Sequence, residues 1–146
     1  MATFQLGKDA KIYYGAEGDP LTGLTEMGNV TNVSLTLEAS EADVTTRANS
    51  GWRATVATLK SCSVEFEMQF KPSDAGFTAI QTAFMNSGLI RLAPLTGDKS
   101  VADNEGPMGD FSVTNFSRDE ALEEAIKYKV TAKLAVYDSW VTTSGA

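Results

Sequence analysis

Three segments of the chain alternate apolar and polar residues with a period of two. Apolar side chains occupy every second position from Val33 to Leu37, from Cys62 to Phe70 and from Ile126 to Val136. This alternation predicts β-strands with one buried and one solvated face, which is typical of antiparallel sheets. Shorter strands are predicted at residues 10–14, 89–92 and 110–116.

One segment has helical periodicity instead. Phe77, Ile80 and Phe84 recur at intervals of three and four residues after a Pro-Ser-Asp sequence that can cap backbone N–H groups. Gly88 is placed to end the helix in the left-handed conformation. The sequence therefore predicts a mainly β (α+β) fold, a β-sandwich or partial barrel of two packed antiparallel sheets flanked by a helix at about 73–86.

The connection between the second and third strands is unusually long. A hairpin needs two to five loop residues, whereas residues 39–59 give about twenty, which indicates a functional loop or disorder. Trp52 lies near its middle. Its indole either anchors a contact with another molecule or folds back onto its own domain, and the sequence leaves both alternatives open.

Composition limits the chemistry of the protein. The 146 residues suit a single domain, 1–146, and 42% hydrophobic and 21% charged residues are ordinary globular values. The absence of histidine and the single cysteine, Cys62, exclude His-based triads, His-ligated zinc and an intrachain disulfide. Without a phosphate-binding glycine motif, we expect no enzymatic activity, no cofactor and no metal.

Charge argues against a nucleic-acid-binding protein. The chain has 12 basic and 19 acidic residues, a net charge of −7, whereas affinity for phosphates depends on Lys and Arg. Residues 96–109, with Asp98, Asp103 and Glu105, lack calcium-loop spacing and are predicted to be a solvated loop, with Asp110 nearby. We expect a protein that is made in the cytoplasm, since the N-terminus lacks a signal-peptide layout.

Long amphipathic strands in a small domain expose sheet edges. Exposed edges must be paired, covered or blunted, and the strand from Val33 to Leu37 carries no proline or other obvious protection. Joining the edges of identical copies into a closed ring removes them. Self-association is therefore the simplest expectation.

Three longer segments resemble the tail tube proteins of long-tailed bacteriophages and gene transfer agents. They are GKDAKIYYG, DVTTRANSGWRATVATLKSCSVEFEMQF and GPMGDFSVTNFSRDEALEEAIKYKVTAKLAVYDSW, and the helix SDAGFTAIQTAFMNSG falls between strands as it does in that family. The resemblance covers nearly the whole chain and is one of arrangement and diffuse motifs.

The resemblance implies a structural virion protein. Such proteins form hexameric rings that stack into a hollow tube, which holds the tape measure protein during assembly, meets tail tip and tail terminator proteins, and passes DNA without binding it specifically. Each subunit gives four strands to one inner barrel, here residues 30–38, 62–70, 110–116 and 126–136. Arms at 1–7 and 140–146 would contact neighbouring subunits.

The same resemblance assigns two sets of residues. The loop at 39–59 would contact the adjacent ring through Glu41, Asp43, Arg47, Trp52 and Arg53. The candidate lumen face comprises Glu38, Glu65, Glu67, Lys127, Lys129 and Lys133. The three lysines must pair with these glutamates or lie partly outside the lumen.

Two alternative functions remain at this point. One is a tube subunit of a contractile tail, a pyocin or a type VI secretion system. The other is a β-sandwich module that binds a receptor or a carbohydrate. Such modules expose aromatic platforms, whereas most aromatic residues here are in phase with the core and only Trp52 and Trp140 are exceptions.

Overall fold

The computed structural model describes Gly7 and residues 10–144. In these residues one helix and seven strands follow one another, with bounds β1 Lys11–Ala16, β2 Thr25–Glu26, β3 Val30–Asp43, β4 Thr55–Gln69, α1 Ala75–Met85, β5 Leu89–Leu95, β6 Glu105–Asp119 and β7 Lys127–Thr142. The mainly β prediction is confirmed. Apart from Gly7, the predicted arm at 1–7 lies outside the described residues, and so do the last two residues of the C-terminal arm.

The strands form one antiparallel sheet in the order β2-β1-β5-β6-β7-β4-β3. The prediction of two separate sheets is wrong in this respect. β6 pairs with β5 near its middle and with β7 along its length, so it joins the two halves. Register shifts at three places along β6 and β7 bend these strands, which lets one sheet curve around a core.

The main core lies between the curved sheet and α1. Its members are the apolar residues of the alternating strands and the inner side of the helix: Ile12, Met27, Cys62, Val64, Phe66, Met68, Phe77, Ile80, Ala83, Ile90, Leu92, Phe111, Val113, Tyr128, Val130 and Ala132. The predicted inward direction of Cys62 is confirmed, and burial raises the pKa of its thiol.

A smaller core occupies the opposite face of the sheet near β1 and β5. Tyr13, Ala93 and Leu95 pack there with Leu24 and Met108. The Lys99 ammonium lies 5.2 Å from the centre of the Tyr13 ring and donates hydrogen bonds to backbone carbonyls of residues 21 and 24. Lys99 thereby fastens two connecting segments over this second core.

The ends of α1 explain its length. The Asp74 carboxylate accepts a hydrogen bond from the Phe77 N–H at 2.9 Å, as an N-cap does. At the other end Ser87, rather than the predicted Gly88, adopts the left-handed conformation with φ 54°. The Gly88 N–H then bonds to the Ala83 carbonyl at 3.0 Å, which closes the helix in a Schellman motif.

The predicted loop at 39–59 is shorter than expected. β3 continues to Asp43 and β4 begins at Thr55, with register pairs as far as Asp43 and Thr55, so only residues 44–54 remain a loop. This extended hairpin is exposed along nearly all its length. Its backbone hydrogen bonds are satisfied by strand pairing, which is why a long connection need not be disordered.

The environment of Asp110 is buried, whereas the sequence predicted a solvated loop beside it. β6 begins at Glu105, so the acidic loop ends earlier than expected, and Asp110 is buried beside Arg91 of β5. The guanidinium makes two hydrogen bonds to this carboxylate, at 2.9 and 3.2 Å, and also contacts Asp138 and the Asp19 carbonyl. The Arg91 contact lowers the pKa of the Asp110 carboxyl.

Candidate assembly surfaces

The four strands predicted for an inner barrel are neighbours in the sheet. They are β6, β7, β4 and β3, in that spatial order. Each pairs antiparallel with the next, so β3 runs opposite to β6. Together they form a four-stranded surface at one end of the sheet, which we call the β6–β3 panel.

One face of the β6–β3 panel is polar. Directly paired residues share a face of a sheet, and the register places Glu67 opposite Lys129, Glu65 opposite Thr131 and Ser34 opposite Glu65. The buried core residues of β4 and β7 alternate with these positions. All six residues of the predicted lumen face therefore lie on one side of the panel; that this side lines a lumen stays a prediction.

The polar face carries nearly balanced charge. Asp119 lies opposite Lys127 and is an addition to the predicted face, because the predicted strand ended at residue 116. Over residues 34–38 of β3, 61–69 of β4, 112–119 of β6 and 127–133 of β7, this face then carries four carboxylates and three ammonium groups. Lys127 also lies 3.5 Å from a Glu124 carboxylate oxygen, and Asn32 donates a 3.0 Å hydrogen bond to Glu67.

The opposite face of β3 is apolar and only half covered. Leu35 lies opposite the fully buried Val64, and Leu37 lies opposite Cys62. Both therefore point to the core side of the sheet, yet Leu37 remains 54% exposed and Leu35 and Val33 are also exposed. We call these three residues the β3 stripe.

Both borders of the panel leave backbone groups unpaired by described strands. β3 ends the sheet, and within residues 10–144 nothing pairs with its outer side. On β6, pairing with β5 stops at Ser112, so over the described ranges residues 113–119 pair only with β7. Inside the panel, residues 55–62 of β4 pair only with β3 and residues 134–142 of β7 only with β6, so the two outer borders are the edges that lie open to another subunit.

The tip of the β3–β4 hairpin presents an exposed aromatic side chain. Trp52 is 76% exposed, which favours the first of its two predicted alternatives over packing on its own domain. Hydrogen bonds from the Trp52 N–H to the Asn49 carbonyl and from the Asn49 amide to the Trp52 carbonyl, both 2.9 Å, hold the turn around it. The indole is thus displayed on an ordered turn.

The other predicted loop residues are spread along this hairpin. Glu41 and Asp43 belong to β3, Arg47 begins a short 3₁₀ turn, and Arg53 follows Trp52. Hydrogen bonds from Thr45 lower the pKa of the Asp43 carboxyl. The same hairpin also exposes the apolar residues Val44, Val56 and Leu59, which were not predicted because they lie outside the alternating segments.

Two further features bear on function. Across the residues that the structure describes, no three acidic or cysteine side chains are grouped so that they could hold a metal ion. Over the same residues, no helix combines the length and apolarity needed to cross a membrane.

Comparisons with solved structures show the same fold. A chain in the tail of an empty gene transfer agent particle, refined with C6 symmetry, has a TM-score of 0.73 and 19% identity over 97% of this chain and 100% of its own. The SPP1 tail tube protein has a TM-score of 0.71 and 14% identity, and the match covers 95% of this chain and 78% of its own. A chain of the anti-feeding prophage baseplate has a TM-score of 0.61 and 8% identity, and the match covers 99% of both chains.

The sequence comparison identifies the family. No curated protein matches the chain by sequence. The profile of the family described as "Phage tail tube protein", however, matches residues 4–136, nearly the whole chain. The chain therefore belongs to the phage tail tube protein family and is a structural tail tube subunit.

Proposed function

We propose that copies of this chain join β3 of one subunit to residues 113–119 of β6 in the next and so close into hexameric rings. The rings stack into a hollow tube, part of the virion, through which DNA is delivered. The observation that carries the proposal is the pair of strand borders on the β6–β3 panel. Unpaired edges of this length are otherwise sites of uncontrolled association.

The two borders are complementary in direction and polarity. Because β3 and β6 run oppositely within one subunit, cyclic repetition places them antiparallel across every joint. Polar residues Ser34 and Thr36 of β3 continue the face of Asn115 and Ser117 of β6. The joined sheet therefore keeps one polar and one apolar face throughout.

Six copies give a barrel of suitable width. The number six comes from the C6 symmetry of the gene transfer agent tail, and four strands from each copy make 24 in total. Strands spaced about 4.8 Å apart and tilted by about 40° would then close at a backbone diameter of about 45–50 Å. A DNA duplex fits inside such a barrel.

The polar face of the panel suits a passage for DNA. Its four carboxylates and three ammonium groups nearly cancel, so few phosphates would be neutralised and little binding energy would come from counterion release. DNA, and the tape measure protein before it, would be in contact with serine, threonine and asparagine side chains. The proposed lining of the lumen therefore comprises Glu38, Glu65, Glu67, Asp119, Lys127, Lys129 and Lys133.

Contacts along the tube axis are assigned to the hairpin. Residues 55–62 of β4 pair only with β3 there, and Trp52 at the hairpin tip is the proposed anchor on the adjacent ring. The other assigned residues, Glu41, Asp43, Arg47 and Arg53, are spread along the hairpin. The terminal arms would contact neighbouring subunits, and tail tip and terminator proteins would bind the tube ends. Assembly would take place in the host cytoplasm, and the subunit has no enzymatic role.

Cysteine cross-linking tests the ring joint. Within one subunit, three inter-strand steps of about 4.8 Å separate β3 from β6, and Ser117 lies a further five residues, about 17 Å, along β6 from the position level with Thr36. A short bismaleimide therefore cannot join Thr36→Cys to Ser117→Cys within one subunit. A double variant, Thr36→Cys with Ser117→Cys, should give cross-linked ladders of up to six subunits when treated with a short bismaleimide. The matched single variants should give none, because the joint brings unlike strands together.

The result that would overturn the proposal is equally direct. If assembled protein gives cross-linked dimers with either single variant, like strands meet and the ring is not cyclic. If the double variant, and also the Ser34→Cys and Asn115→Cys combination that shifts the register, gives only monomers from assembled tubes, β3 and β6 are not neighbours.

A second candidate function is a tube subunit of a contractile injection system. The similarity to a chain of the anti-feeding prophage baseplate favours it. The difference lies outside the ring, since a contractile tube binds a sheath. Sheath protein co-sedimenting with assembled tubes would support this candidate, and bare tubes in the presence of the sheath protein encoded nearby would exclude it.

A further inference from the structure

The β3 stripe is an apolar surface that its own subunit covers only in part. Val33, Leu35 and Leu37 point to the core side of the sheet, but α1 packs over β6 and β5 instead. Burying such a stripe is favourable by about 25 cal/mol per Å². Its place at the border of the sheet suggests that the cover comes from across the joint.

The C-terminal end of α1 lies beside the unpaired part of β6. The Phe84 and Phe116 rings are 5.8 Å apart, which fixes the last turn of the helix over β6. Three residues later the chain enters β5 at Leu89, opposite Ser112 of β6. The helix end is therefore on the same side of β6 as β5, above the place where a strand paired with residues 113–119 would lie.

This end of the helix also presents apolar side chains outward. Met85 is 66% exposed and Phe84 is 36% exposed, whereas Ile80 and Ala83 of the same helix are buried in the core. Methionine adapts its shape to an irregular apolar surface, which suits a contact between subunits.

From these placements we propose that Phe84 and Met85 of one subunit cover the β3 stripe of its neighbour, so that the core of each subunit continues across the ring joint. The inference rests on the proposed β3–β6 pairing and adds a second contact to it. Strand pairing supplies the hydrogen bonds, and the helix end excludes water from their apolar side. A β3 strand alone would leave both its stripe and Met85 exposed.

The test compares exposed apolar residues inside and outside the contact. Met85→Gln keeps helix propensity, and Leu35→Gln changes the other side of the contact. Val101→Gln is the matched control, since Val101 is also exposed but lies in the segment between β5 and β6, at the end of β6 opposite to residues 113–119. Each variant is first checked for an unchanged urea midpoint at concentrations where the protein is monomeric.

The measured quantity is the critical concentration for tube formation. Met85→Gln and Leu35→Gln should each raise it at least tenfold, and Val101→Gln less than twofold. Because the first two residues share one contact, the double variant should raise it clearly less than the product of the single effects. If the double variant raises the critical concentration by the full product of the two single effects, the two side chains act separately, which contradicts the proposal.

A failure of this inference can be distinguished from a failure of the ring proposal. If Met85→Gln and Leu35→Gln assemble like wild type while Thr36→Cys with Ser117→Cys still cross-links, the strands pair but the helix end does not cover the stripe. If the cross-link is also absent from assembled tubes, the ring joint itself is wrong, and this inference is overturned with it.

Discussion

Replacing Arg91 by methionine is the sharpest test of the buried charge network. In the folded protein Arg91 and Asp110 are 5% and 4% exposed, and the guanidinium holds both carboxylate oxygens. In Arg91→Met the Asp110 carboxylate keeps the hydrogen bond from the Gly18 N–H, at 3.1 Å, but loses its counter-charge. Removing one partner of a buried pair costs about 3–5 kcal/mol, a large part of the roughly 5–15 kcal/mol that stabilises a domain.

The pH dependence of this loss identifies its cause. In the wild type the pKa of Asp110 is lowered, so its contribution to stability is present above the unfolded pKa of about 3.9 and is lost as the pH falls below it. In Arg91→Met the unpaired, buried carboxyl has a raised pKa, so protonation relieves the folded state as the pH falls. The difference in unfolding free energy between the two proteins should therefore shrink between pH 7 and pH 4.

Urea unfolding of the monomer at several pH values measures both effects. Asp138→Asn is the control, because the Asp138 side chain is 42% exposed and its contact with Arg91 should contribute less than about 1 kcal/mol. A loss below about 1 kcal/mol for Arg91→Met at pH 7, or a loss that is constant down to pH 4, would refute this explanation of the network.

Three further outcomes are expected. Val64→Asp should prevent folding, since Val64 is fully buried. The control Val56→Asp, on the exposed hairpin, should leave the circular dichroism spectrum native. A folded Val64→Asp protein would contradict the core assignment. Trp52→Ala should keep the urea midpoint but slow tube elongation in light scattering, and normal tubes would mean that the hairpin tip makes no stacking contact. Ser87→Gly should raise the unfolding free energy by about 0.5–1 kcal/mol by relieving the left-handed conformation, and a lower urea midpoint would show that the serine side chain matters more.

Sequence periodicity predicted the strands that have one buried face. Residues 62–69 of β4 and 127–133 of β7 alternate because their inner side chains enter the core and their outer side chains face away from it. The hairpin ends of β3 and β4 were missed for the converse reason. Both faces are exposed there, so Glu, Ala, Ser and Thr occur without the contrast from which a strand is predicted.

The beginning of β6 shows a second limit of the sequence. Gly-Pro-Met-Gly looks like a loop, yet it is strand, and its glycines are needed for close packing. A Cβ atom at Gly106 would lie 1.8 Å from the Pro94 carbonyl oxygen, and one at Gly109 would lie 2.6 Å from that of Val136. Such approaches come from distant strands and leave no local pattern.

Some residues of the candidate surfaces could be predicted from alternation along a strand, whereas others depend on contacts between distant strands. The family resemblance assigned the six lumen residues, and strand parity put each of them on the polar face of its own strand. The same parity would have added Asp119 had the predicted strand been longer. The Arg91–Asp110 pair, the β3 stripe and the position of Met85 depend on which strands are neighbours. Periodicity does not contain that order, so only the structure could reveal them.

A cryo-electron microscopy reconstruction of the assembled tube at side-chain resolution tests the central claim most directly. It should show β3 of each subunit hydrogen-bonded, antiparallel, to residues 113–119 of β6 in the next, with one sheet running unbroken around the ring. A ring in which the outer side of β3 faces solvent, or pairs with the β3 of another copy, would contradict the account.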